Sequence, residues 1–106
     1  MSEVVFLTPE DARYGFSLAG AMQLTVSAQQ AEALLRQTMA ERNVAVVVID
    51  ERLVRAIDAK LFGELEEGWR GLLVTLPAPE HRTGREEDYL QRLIKRALGY
   101  HVRLKL

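Results

Sequence analysis

One uninterrupted apolar run, Val44-Ala45-Val46-Val47-Val48-Ile49, constrains this chain more than any other feature. A strand with one wet face alternates apolar and polar side chains, whereas a strand that is apolar at every position is buried on both faces. That is the condition of a central strand in a parallel sheet. Parallel neighbours cannot be joined by tight hairpins and need crossover connections, which are usually helices. The run therefore demands a helical segment on either side of it, and the sequence has both.

Upstream, Ser27 is placed to cap a helix, with Gln30 three residues on as its capping-box partner. Ala31, Leu34, Leu35, Thr38 and Met39 then fall at i, i+3, i+4, i+7 and i+8, the stripe of an amphipathic helix that Asn43 ends. Downstream, Asp50 opens another helix as its cap, with Leu53, Val54, Ile57, Leu61 and Leu65 on one side. Gly68-Trp69-Arg70-Gly71 breaks that pattern, and residues 72–76 read as a further strand. Closer to the start, Val4-Val5-Phe6-Leu7 is a first strand that closes at Thr8-Pro9-Glu10-Asp11. Thr8 can cap a helix there, Pro9 suits its first position, and the helix is expected to reach about Ala19 with Gly20 just beyond it. Residues 22–26 form the second strand.

After the fourth strand comes a polar stretch, Pro77 to Gly84, containing two prolines. Residues 86–98 read as a last helix, apolar at Tyr89, Leu90, Leu93, Ile94, Ala97 and Leu98 and followed by Gly99. The tail from Tyr100 to Leu106 alternates apolar and polar residues, as an exposed fifth strand does. Strands alternating with helices imply an α/β fold, a small doubly wound parallel sheet of receiver or flavodoxin type with four or five strands. A chain of 106 residues is one domain. Within it, residues 1–76 form the core, 77–85 a loop able to serve as a hinge, and 86–106 a partner-binding helix and tail.

Composition narrows the function mainly by exclusion. There is no cysteine, so disulfides and thiolate chemistry are ruled out. The longest apolar run is far too short to span a bilayer, and Met1-Ser2-Glu3 offers no basic region before an apolar stretch, so neither membrane insertion nor a secretory signal is expected. A net charge of −1 argues against a nucleic-acid binder. The charge is nevertheless uneven. Residues 92–106 carry Arg92, Lys95, Arg96, Arg103 and Lys105 and no acid.

Doubly wound sheets bind ligands at the carboxyl ends of their strands. The turn after strand one has no glycine to let backbone approach a pyrophosphate, and no P-loop lysine. Asp50 closes the third strand, where a receiver domain accepts a phosphoryl group, and a phospho-signalling receiver is the alternative reading of the chain. That chemistry also needs paired acids after strand one to hold Mg²⁺ and a lysine at a later strand end. Strand one ends in Leu7-Thr8-Pro9 and strand four in Leu76-Pro77. Asp50 is therefore expected to act as a helix cap. His81 and His101 have no second ligand at metal spacing, and Ser2, Ser17 and Ser27 have no histidine beside them. No catalytic residue, cofactor or metal is expected. Trp69 is expected to pack over an end of the sheet. The last helix admits two readings from its pattern: it lies on the sheet with a solvated basic face, or it projects and packs on a partner. In the second case Tyr89, Arg92, Leu93, Arg96, Ala97 and Tyr100 form the contact face.

Several segments together resemble the F stalk subunit of archaeal and bacterial V/A-type rotary ATPases. Tyr14-Gly15-Phe16-Ser17-Leu18-Ala19-Gly20 is close to that family's Gly-Phe-x-Leu-Ala-Gly, although Ser17 stands where a basic residue is common. Val46-Val47-Val48-Ile49 with Asp50-Glu51, and Leu73-Val74-Thr75-Leu76 with Pro77, are similar to the family's strands. Leu93-Ile94-Lys95-Arg96-Ala97-Leu98-Gly99-Tyr100 matches its basic helix and following glycine, while residues 79–85 are idiosyncratic. The resemblance implies a non-catalytic rotor-stalk protein whose last helix packs on the long coiled coil of the D axle subunit, the two forming a heterodimeric rotor. It further implies the A and B catalytic head and a ring-attachment subunit as neighbours. The location it implies is cytoplasmic, peripheral to the membrane, in a machine that couples ATP hydrolysis or synthesis to ion translocation.

Overall fold

The computed structural model describes residues 3–9 and 21–78, together with residues 85, 88, 89 and 92. Among the described residues four strands, β1 (Glu3–Thr8), β2 (Ala21–Thr25), β3 (Val44–Asp50) and β4 (Leu72–Leu76), form one sheet in the order β2-β1-β3-β4. Every pairing is parallel. This is the first four strands of the flavodoxin-like order, so the fold is the α/β arrangement expected from the sequence. Over residues 21–78 the helices are α1 (Ala31–Ala40), entered through a 3-10 turn at Ala28–Gln30, then α2 (Glu51–Val54) and α3 (Ala59–Gly68).

β3 is central, as its unbroken apolar run requires, and Val46, Val47, Val48 and Ile49 are completely buried. Burying one such side chain is worth about 1.5–3 kcal/mol, so this strand contributes more to the core than any of the described helices. Its side chains divide between two faces. Val5, Leu7, Val44, Val47, Ile49 and Leu73 join Ala31, Leu35 and Met39 of α1 and Leu53 of α2, with Leu61, Phe62 and Leu65 of α3 packed against them. On the other face Val4, Phe6, Val46, Val48 and Leu76 form a second cluster, which among the described residues consists of sheet side chains alone.

Val44 and Val47 share a face although they are an odd number of positions apart. The cause is a register irregularity. Glu3 pairs with Val44 but Val4 pairs with Val46, so Ala45 is an extra residue that resets the alternation.

α1 follows its predicted stripe, with Ala31, Leu35, Thr38 and Met39 buried. The Thr38 hydroxyl donates to the Leu34 carbonyl at 2.7 Å, which satisfies a buried polar group inside the helix. At its entry the Ser27 N–H and hydroxyl both donate to Gln30 Oε1, at 3.4 and 3.1 Å, as the capping-box spacing anticipates.

The helix after β3 differs from the sequence expectation. A single helix from Asp50 through Leu65 is predicted, and two are found, because the chain tightens between them. Ala56 N–H donates to the Leu53 carbonyl and Ile57 N–H to that of Val54, each at 3.0 Å, bonds that reach back only three residues. The turn carries Ile57 into the core. Asp58 then caps α3 through Leu61 N–H at 3.0 Å. A buried isoleucine in the break keeps the apolar spacing intact, which is why one helix reads through from the pattern. The predicted helix between Pro9 and Gly20, the loop over 79–84 and the tail over 100–106 lie outside the described residues.

Candidate functional site

The strand pairing brings Thr8 level with Thr25 and Asp50 level with Leu76, while Leu7 stands opposite Ile49. The carboxyl ends of all four strands therefore meet at one edge, where this fold places its ligands. A cleft of about 330 Å³ opens there, lined by Pro9, Thr25, Val26, Ser27, Ala28, Gln30, Arg52 and Leu53. Among the described residues its lining has hydroxyls, an amide and one guanidinium, and no carboxylate. Thr8 is buried beside it. The Thr8 hydroxyl accepts from Gln23 Nε2 at 3.0 Å, and its carbonyl accepts from Val26 N–H at 2.8 Å.

Asp50, the phospho-acceptor candidate, has no solvent exposure. Its Oδ1 accepts the Arg52 backbone N–H at 2.7 Å, which is the helix cap expected from the sequence. The Arg52 side chain also folds back on it, with Nε donating to Oδ1 at 3.1 Å and Nη2 to Oδ2 at 3.0 Å. This fork suits a guanidinium and a carboxylate geometrically, and it compensates a charge that would be costly to bury alone. Acyl-phosphate chemistry needs the carboxylate accessible beside Mg²⁺ and a lysine. Here it faces an arginine from its own helix, and β4 closes on Leu76. Among the described residues no group of three His, Cys, Asp or Glu side chains is placed to hold a metal ion.

The next residue ties in the chain leaving β4. Glu51 Oε1 accepts the Ala78 backbone N–H at 2.7 Å, and Oε2 lies 3.5 Å from Arg55 Nη2. Nothing in the local pattern announces this bond, because its partners are separated by 27 positions.

The opposite edge of the sheet is built differently. Trp69, just before β4, packs against the larger core cluster, so it covers an end of the sheet as expected. Arg70 lies over its ring, 5.8 Å from the centroid. Arg70 Nη2 also donates to the carbonyls of Glu41 and Arg42 at 2.8 Å and of Val44 at 3.3 Å, joining the start of β4 to the turn between α1 and β3. Gly71 is required by this packing. A Cβ there would lie 2.6 Å from the Ala45 carbonyl oxygen and 2.6 Å from Trp69 Cη2.

Of the residues predicted to contact a partner, Tyr89 and Arg92 are described. Both are helical and exposed, Tyr89 at 59%. Tyr89 N–H donates to the Arg85 carbonyl at 3.2 Å, one helical hydrogen bond. Leu93, Arg96, Ala97 and Tyr100 lie outside the described residues, so their placement beside Tyr89 rests on the sequence pattern. No helix among the described residues is long and apolar enough to cross a membrane.

A family model described as ATP synthase (F/14-kDa) subunit matches residues 4–94, from the first strand into the last predicted helix. Comparison with curated proteins and with solved structures returns no match.

Proposed function

The chain belongs to the ATP synthase (F/14-kDa) subunit family, and from that premise we propose that it is a non-catalytic central-stalk protein that packs on the coiled-coil D axle subunit of a V/A-type rotary ATPase. The observation that carries this reading is the family match, which takes in every described strand apart from the first residue of β1. The geometry supports it from a second side. At the strand ends, where such folds bind ligands, the buried carboxylate of Asp50 is engaged by the Arg52 side chain and by the helix cap, which suits a sheet serving as a rigid body.

In this reading the grip lies in residues 86–106. Tyr89, Leu93, Ala97 and Tyr100 provide apolar contact on the axle, and Arg92 and Arg96 face acids along it. Tyrosine and arginine are the residue types that most often dominate such contacts. The protein binds no nucleotide itself. ATP is turned over between the A and B subunits of the head, and this chain passes torque between that head and the ring-attachment subunit, coupling the chemistry to ion translocation. It is located in the cytoplasm, held peripherally to the membrane by the complex.

The test is a pull-down with a purified, long two-helix coiled-coil axle protein. A stoichiometric complex that survives washing is expected. Failure of the two proteins to associate at micromolar concentrations would overturn the assignment.

A further inference from the structure

Glu51 makes a contact that neither the Asp50 cap nor the Asp50–Arg52 fork requires. Asp50 and Leu76 are register partners, so the chain leaves β4 directly beside the first residue of α2. From that point β3 has no further strand carbonyls to offer, because its backbone turns into a helix. Pro77 has no N–H, so the first backbone donor after β4 belongs to Ala78. Ala78 is completely buried, and a buried N–H needs an acceptor. The Glu51 carboxylate is that acceptor, at 2.7 Å. Its other oxygen is turned toward Arg55, a full helical turn along, which orients the group. A side chain thus continues the sheet's hydrogen bonding one step beyond the last strand pair, through a bond to an ionised acceptor, which is among the stronger kinds.

We propose that Glu51 is a positioning residue that fixes the exit of the chain from β4, so that the segment bearing Tyr89 and Arg92 departs from one point on the sheet and is pre-organised for a helical partner. Only the last part of this statement rests on the stalk reading above. Fixing the root of a binding segment raises affinity by reducing the ordering that association must impose.

The experiment compares the full-length chain with Glu51→Gln, which keeps a carbonyl acceptor, and Glu51→Ala, which removes it. Amide exchange is followed by NMR, and affinity for the coiled-coil axle protein is measured on the same proteins. In Glu51→Ala the Ala78 amide should exchange faster by about ten- to hundredfold, the range for losing a charge-assisted bond, with Glu51→Gln in between. The amides of Val47 and Val48 should be unchanged in both variants, showing that the sheet is intact. Affinity should fall by about three- to tenfold in Glu51→Ala and recover most of the way in Glu51→Gln. An unchanged Ala78 exchange rate in Glu51→Ala would overturn the anchor. Faster exchange with unchanged affinity would overturn its role in binding. If the wild-type chain does not bind the coiled coil, the stalk reading fails, while the Ala78 rates still decide the anchor.

Discussion

The two ends of the sheet solve one problem, how to finish parallel strands in a small domain, with different chemistry. At the carboxyl end, ionised side chains satisfy one another and the backbone: Asp50 with Arg52, and Glu51 with Ala78 and Arg55. At the amino end, shape and a single arginine do the work, with Trp69 against the core, Gly71 making room, and Arg70 drawn onto three carbonyls. The contrast matters because only the carboxyl end is a place where this fold binds ligands. Here that place is occupied by the chain's own charges. A buried carboxylate held by its neighbour stiffens the corner and is itself engaged rather than free to meet a ligand.

Substitutions that break the carboxyl end should therefore cost most. Arg52→Ala deprives the buried Asp50 of its guanidinium and should destabilise the domain by about 3–5 kcal/mol in urea unfolding, the range for breaking a buried pair from one side. Replacing both residues by Ala should cost less than Arg52→Ala alone. Equal or greater loss in the double variant would mean that the fork is not what holds the corner.

The amino end should give smaller effects. Gly71→Ala forces a methyl group against the Ala45 carbonyl and the Trp69 ring, and should cost about 1–3 kcal/mol by the same measurement. Arg70→Ala removes hydrogen bonds from an exposed side chain and should cost about 1 kcal/mol. If Arg70→Ala proved as damaging as Arg52→Ala, the contrast between the ends would collapse. The smallest expected effect is none. Incubating the wild-type chain with acetyl phosphate and Mg²⁺ should leave its mass unchanged, and a stoichiometric acyl phosphate on Asp50 would restore the receiver reading.

What the sequence reveals of this molecule is what local patterns encode. The apolar run from Val44 to Ile49 identifies the central strand, because burial on both faces removes all alternation. Ser27 with Gln30, and Asp50, mark helix starts through side chains that reach only a few residues. The split between α2 and α3 is hidden by Ile57, which keeps the apolar spacing while the backbone tightens. The reset at Ala45 is invisible because every neighbour is apolar too.

The contacts that lock the ends are also absent from the pattern. Arg70 reaches carbonyls 26 to 29 positions away, and Glu51 an amide 27 away, distances over which spacing carries no signal. For the candidate contact face, Tyr89 and Arg92 are found helical and exposed. Leu93, Arg96, Ala97 and Tyr100, expected on the same face from sequence, lie outside the described residues.

In the proposed reading the sheet is the body of the protein and the segment beyond Arg85 is its grip. The most direct measurement is the affinity of the coiled-coil axle protein for the full chain and for a chain ending at residue 85, with circular dichroism confirming that the shortened protein still folds. Removing residues 86–106 should weaken association by about a hundredfold or more, as loss of several central tyrosine and arginine contacts would. Equal affinity for the two chains would contradict it and place the grip on the sheet instead.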